Sequence, residues 1–198
     1  MAEPARALDF TPDDPESESE VKVTRLTPPG ATAEAEVAQL DAQEAHAALD
    51  RAYAIAWRFL AKRDRTVAEM CDRLERDRVA SEQIEEVVAE LKQHGQLDDA
   101  RYARRFVEDR RSLDRWGSVR IHQRLLALGV APDLATRATD DDPNNELRRA
   151  LIVLHHRLPS PPRTDSGRQR ALELLVRRGF DLELAHEALR AHRAEYDG

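Results

Sequence analysis

After about residue 50, apolar side chains return every three or four positions, the spacing of one face of a helix. On a helix over Asp99–Arg111, Tyr102, Ala103, Phe106 and Val107 make one apolar face, and Arg101, Arg104, Arg105 and Arg111 fall on the opposite one. Three helical segments precede it: "AYAIAWRFLAKR", "TVAEMCDRLERDR" and "SEQIEEVVAELKQHG". Thr66, Ser81 and Asp98 or Asp99 stand where a side-chain oxygen can cap free helix amides, and Thr66 with Glu69 forms a capping box. Gly95, Gly129 and Gly179 follow apolar-periodic segments, where a left-handed residue ends a helix at little cost. Pro132 suits the first turn of the next helix.

The pattern repeats. "TVAEMCDRLERDRVA" (66–80) lies over "GSVRIHQRLLALGVA" (117–131) at an offset of 51, matching Met70 to Ile121, Leu74 to Leu125 and Val79 to Val130. A third copy, "SGRQRALELLVRRGFD" (166–181), follows 50 residues later, with Leu175, Gly179 and Phe180 in the places of Leu125, Gly129 and Val130. A period near 50 built of three helical segments predicts an all-α tandem array of three three-helix repeats, elongated or curved, over residues 51–97, 98–140 and 141–198. One unit of this size buries too little surface to be secure alone, so the three are expected to pack on one another.

Composition supports helix and separates a front section. Aromatic residues are 5% of the chain and glycines number seven, too few of the sheet-forming types to build strands. Of 38 acidic and 31 basic residues, 12 and 3 fall in residues 1–50, against 26 and 28 afterwards, so the net charge of -7 belongs to the front. With "TPDDPESESE" and "LTPPG", that section has little apolar surface to offset ordering, which predicts a disordered acidic tail, helical over residues 31–50 where alanine dominates.

Several chemistries are excluded. The single Cys71 forms no internal disulfide, no apolar run reaches the roughly 18–20 residues of a membrane span, and the N-terminus lacks the pattern of a signal peptide, so a cytoplasmic monomer away from membranes is expected. There is no phosphate-cradling glycine loop, HExxH or CxxC, hence no expected catalytic residue, cofactor or metal. His155 and His156 are adjacent, about 100° apart on a helix, and read as a partly exposed structural pair. Cys71 reads as a packed side chain, and Trp116, beside Gly117, as the filling of a corner between helices. The third helix of the first unit carries Glu82, Glu85, Glu86 and Glu90 against Lys92, which argues against its entering a phosphate-lined DNA groove.

"LAKRDRTVAEMCDRL", "GQLDDARYARRFVEDRR", "WGSVRIHQRLLALGV" and "LLVRRGF" resemble the motifs of the RecX family, regulatory proteins of the bacterial recombinase RecA. The resemblance spans roughly residues 52–190, is most specific in the second unit, and leaves the acidic tail outside it. The third unit departs in its proline-containing insert "RLPSPPRTDSG". The resemblance implies tandem three-helix repeats, a regulator rather than an enzyme, and binding to the RecA filament that opposes its activity in DNA repair and recombination.

The arginine stripe is the candidate partner surface. Lys62, Arg63 and Arg65 lie before it and Arg115, Arg120 and Arg124 beyond it, so with Arg101, Arg104, Arg105 and Arg111 they would face an acidic protein surface or the phosphates of single- or double-stranded DNA. A solvated charged face, or non-specific DNA binding through phosphates, are the alternatives. Arg110 points into the apolar face and is expected to reach a carboxylate such as Asp99, or helix-end carbonyls.

Overall fold

The computed structural model describes residues 29–197. Among them are nine helices and no strand: α1 (Pro29–Leu60), α2 (Val67–Arg76), α3 (Ser81–Gln93), α4 (Asp99–Ser112), α5 (Ser118–Ala127), α6 (Pro132–Thr139), α7 (Pro143–Arg157), α8 (Asp165–Arg178) and α9 (Leu182–Asp197). They form three successive three-helix groups, α1–α3, α4–α6 and α7–α9, called repeats 1, 2 and 3 below. Residues 1–28 of the acidic tail lie outside the described residues.

The chain falls into two compact units, Met1–Ala42 and Gln43–Gly198. In the first, residues 34–42 of α1 are exposed throughout, Val37 and Leu40 included, as their alanine-rich, alternately charged sequence allows.

In the second unit each repeat has its own core. Ala52 and Ala56 of α1 meet Met70 and Leu74 of α2 and Ile84, Val87 and Leu91 of α3. Ala103 and Val107 of α4 meet Ile121, Leu125, Val130 and Ala135 in repeat 2, and Val153, Leu154, Leu175, Phe180 and Ala188 are among the core residues of repeat 3. The matched positions Met70, Ile121, Leu74, Leu125 and Leu175 are therefore the same wall of the same unit, each fully buried. His192 of α9 is also fully buried, edge-on to His155 at 4.9 Å, with no hydrogen bond to either ring nitrogen. Burial lowers its pKa and the neighbouring His155 lowers it further, so it packs as a neutral ring. His155 is exposed and meets Glu195 at 2.8 Å.

The caps follow the sequence in two places and depart from it in a third. Thr66 accepts the amide of Glu69 while the Glu69 carboxylate accepts that of Thr66, and Asp98 accepts the amide of Arg101 at 2.8 Å. Ser81 does not cap α3: it is the helix's first residue, and Ala80 occupies the cap position with no side-chain bond. The turn before it is tight, with Arg78 left-handed at φ 61 and Val79 donating back to the carbonyl of Leu74, so the chain re-enters helix one residue earlier.

Adjacent repeats are joined by one recurring device. The Thr66 hydroxyl donates to the carbonyl of Leu128 at 2.7 Å, and 51 residues on the amide of Gly117 donates to the carbonyl of Arg178 at 2.8 Å. In both cases the end of one middle helix docks on the N-cap of the middle helix before it. A carboxylate from the next repeat then takes the first helical amide: Asp99 accepts Val67 at 2.9 Å, and Glu146 accepts Ser118 at 2.7 Å. The docking is close enough that a Cβ on Gly129 would lie 2.2 Å from that of Ala68, and one on Gly179 2.2 Å from that of Arg120. Arg78 occupies the equivalent left-handed place in repeat 1, where no earlier repeat has to be admitted.

Candidate interaction surface

The ten basic residues picked from the sequence do not form one outward stripe. Their charges divide by what surrounds them. On α4, Arg104 and Arg105 are exposed, but Arg101 is half-buried and its guanidinium donates to the carbonyl of Gly95, closing the end of α3. Arg111, expected on the outward face, is half-buried instead: it donates to the carbonyl of Thr139 at 2.9 Å and stands 3.4 Å from Asp141. Arg149 of α7 approaches the same carboxylate oxygen at 2.6 Å. Burial pushes the Asp141 carboxyl up, yet the two guanidinia outweigh that and hold it below the ordinary carboxylate range. Arg111 thus ties repeat 2 to repeat 3.

The residues before α4 are similarly committed. Arg63 pairs with Glu69, and Arg65 lies over the Phe59 ring at 3.8 Å, its pKa lowered by burial and then by the charge of Arg63. Arg105 meets Asp64 at 2.7 Å, an exposed pair worth at most about 1 kcal/mol. Lys62 is exposed and forms no hydrogen bond or ion pair. Arg110 does reach a carboxylate, but that of Asp114 one turn later, with its guanidinium 5.3 Å from the Phe106 ring centre and 5.6 Å from that of Trp116. Asp99 is out of its reach, eleven residues or about 16 Å back along the same helix, and instead accepts an amide of α2 across the joint.

A groove of about 500 Å³ opens between repeats 1 and 2, lined among others by Arg63, Tyr102, Arg105, Phe106, Trp116 and Arg124. Tyr102 and Phe106 stack with ring centres 6.1 Å apart. Arg124 is exposed with no hydrogen bond or ion pair, whereas the other guanidinia of the groove are matched by Glu69, Asp64 and Asp114. The groove is therefore amphipathic and close to neutral rather than strongly basic.

Beyond the groove, Arg120 lies over the Trp116 ring at 4.1 Å and donates to the carbonyl of Arg177 at 2.9 Å, and Arg115 is left-handed at φ 54. Trp116 fills the corner between α4 and α5, as expected, but with guanidinia on it. Cys71 is half-buried and burial raises its thiol pKa, which disfavours the thiolate form. Among the described residues no group of three or more His, Cys, Asp or Glu is placed to hold a metal ion, and no helix is long and apolar enough to cross a membrane.

Comparison of the chain with known protein families matches its first two repeats. Residues 52–91 match the family model of the first three-helix domain of RecX, and residues 98–138 that of the second. The regulatory protein RecX of Leptothrix cholodnii is 32% identical over 142 residues, 72% of this chain and 89% of that protein. That of Chromohalobacter salexigens is 34% identical over 138 residues, 70% of this chain and 90% of that protein. The chain belongs to the RecX family. A crystal structure of RecX from Lactobacillus salivarius shares the fold, with a TM-score of 0.67 at 17% identity over 74% of this chain and 97% of that one. The relatives are named regulatory proteins, and a regulatory role is what membership of the family gives this chain.

Two kinds of residue escape the sequence reading. Arg157 and Arg178 join Arg115 and Arg120 at the second joint, and nothing in the periodicity marks them. Asp99, read from the sequence as a cap or as a partner for Arg110, and Glu146, not read at all, act across joints instead, and the only signal of that role is a position in the first turn of a repeat's first helix.

Proposed function

We propose that this protein binds the RecA filament in the cytoplasm and opposes its recombinase and ATPase activities, presenting the uncommitted cations of repeats 1 and 2 to the filament. Membership of the RecX family carries the reading. Among the ten candidates, Lys62, Arg104 and Arg124 are exposed with no hydrogen bond or ion pair, and Arg105, in an exposed pair with Asp64, can exchange that partner at little cost. Arg65, Arg101 and Arg111 serve the fold, so replacing them would confuse binding with stability.

The experiment is co-sedimentation with RecA filaments on single-stranded DNA, beside inhibition of RecA ATP turnover. Lys62→Glu, Arg104→Glu and Arg124→Glu together are expected to leave melting within about 1 kcal/mol of the parent, because none has a partner to lose. Inhibition at low salt is expected to weaken about tenfold or more, since reversed charge slows encounter. A parent protein that neither sediments with filaments nor slows turnover would sink the RecA reading. A triple variant as potent as the parent would move the contact surface elsewhere.

A further inference from the structure

A group of poorly balanced arginines lies at the joint between repeats 2 and 3, away from the α4 stripe. Arg178, half-buried at the end of α8, donates to the carbonyl of Asp114 at 2.7 Å, and Arg120 at the start of α5 donates to that of Arg177 at 2.9 Å. Arg178 is thereby held beside Asp114, the residue before Arg115, and Arg120 beside Arg177, and the charges of Arg157, Arg115 and Arg120 all reach Arg178. The Asp114 carboxylate is already taken by Arg110. Arg115 and Arg157 make no hydrogen bond or ion pair with the protein. Burial depresses the pKa of Arg178, and the charges of Arg157, Arg115 and Arg120 depress it further, with Asp114 alone opposing them.

Such crowding is costly, and so is the backbone beneath it. Arg115 holds a left-handed conformation at φ 54, which for a residue with a Cβ costs about 1–2 kcal/mol. Glycine would close the end of α4 more cheaply, so the side chain at this place serves something other than the turn. Interfaces between proteins have charge-depleted centres, whereas nucleic-acid interfaces are dense in positive charge, and the planar guanidinium fork matches a phosphate. The α4 stripe is less crowded, because Arg105 and Arg111, like Arg63 and Arg110 near them, are each matched by a carboxylate, which leaves Arg104 as the exposed arginine of α4 without one.

We propose that Arg115, Arg120, Arg157 and Arg178 form a phosphate-binding site for the backbone of nucleic acid, assembled only where repeat 3 docks on repeat 2. This stands independently of the RecA reading.

The test uses the full chain without recombinase, measuring fluorescence anisotropy of a labelled single-stranded oligonucleotide, and of its duplex, across a salt series. Arg115→Gly with Arg157→Ala removes two cations and leaves the joint's bonds through Arg120 and Arg178. Affinity at low salt is expected to fall about tenfold, and the slope of log K against log salt to become shallower by about 1.4–1.8, for two lost phosphate contacts. Arg76→Ala, in repeat 1 and paired with Asp72, is expected to change neither. Melting should hold or rise, since glycine relieves the left-handed strain. If the double variant nevertheless melts early, Arg157→Ala alone carries the test with a slope change of about 0.7–0.9. A parent that binds neither oligonucleotide overturns the proposal, as does a variant that binds both with the parental slope. So does a variant that keeps its DNA affinity but loses only RecA filaments, because the cluster would then meet protein carboxylates.

Discussion

At the joint between repeats 1 and 2 a threonine hydroxyl, that of Thr66, meets the carbonyl before the left-handed glycine; at the joint between repeats 2 and 3 a main-chain amide, that of Gly117, does the same work. The difference sets how closely the two helices approach. With no side chain at Gly117, the main chain of Gly179 comes so near that an added Cβ would lie 2.3 Å from its carbonyl oxygen and 2.4 Å from the amide of Phe180. The second joint also gains a backbone bond from Val119 to Gly179 at 3.1 Å. At the first joint a side chain stands between the two main chains, and the tight contact is with one atom, the Cβ of Ala68. One docking rule thus yields a joint closed by side chains and a joint closed by backbone, and only the second gathers uncompensated arginines.

The largest effects are expected from filling those contacts. Gly117→Ala is expected to cost on the order of 3 kcal/mol or more, because every atom its Cβ meets belongs to backbone that cannot rotate away. Gly179→Ala should be comparably severe: its Cβ would meet the main-chain nitrogen of Arg120 at 2.5 Å, in a left-handed conformation besides. Gly129→Ala should be rescued in large part by Ala68→Gly, since the colliding atom is then absent, leaving roughly the 1–2 kcal/mol of the left-handed backbone and the loss of one packed methyl. Urea unfolding of the single and double variants reads the cycle. If Arg120→Gly rescued Gly179→Ala as fully as Ala68→Gly rescues Gly129→Ala, the distinction between the joints would collapse.

The next effect tests the side-chain joint directly. Thr66 is fully buried, caps α2 and donates across the joint, so Thr66→Ala should cost about 1–2 kcal/mol for the cap, with a further loss of about 1 kcal/mol for the bond to Leu128. Thr66→Ser keeps both bonds and should recover most of that. A Ser variant no better than Ala, by thermal melting, would show that the methyl group and not the hydroxyl closes the joint.

The helices, the Thr66 capping box and the helix-ending glycines are legible in the sequence because each depends on residues a few positions apart, and the repeat period because the same pattern returns about every 50 residues. The arginine stripe is not, and Arg104 and Arg111 show why. Seven residues apart, they share a helix face, and their local sequence treats them alike. Arg104 faces solvent while Arg111 meets Asp141, because the connection between α6 and α7 crosses that end of α4 and not the other. The wheel gives the direction of a side chain but not its neighbour, and the neighbour decides whether a charge is available. Arg110 is the opposite case: its need for a carboxylate is legible and so is the choice, because Asp114 is one turn on while Asp99 lies eleven residues or about 16 Å back along α4, where it accepts the amide of Val67.

That use of Asp99 yields the smallest expected effect and the most specific one. Its carboxylate accepts the Val67 amide, which favours the charged form, but burial outweighs this and holds its pKa above the ordinary carboxylate value. A carboxyl whose folded pKa exceeds its unfolded one contributes stability that is full below the unfolded value, about 3.9, and is lost as pH rises through the folded value. Ionised Asp99 is therefore a cost at neutral pH, although its oxygen is needed. Asp99→Asn keeps an acceptor and removes the charge, so at pH 7 it should match the parent or exceed it by less than about 1 kcal/mol, while Asp99→Ala should lose about 1–2 kcal/mol for the missing cap. The parent's advantage relative to Asp99→Asn should grow on acidification, because only the parent can take up that proton. Melting of the three proteins from neutral to acidic pH measures it. An Asn variant that loses as much as Ala at pH 7 would mean that the joint needs the charge itself.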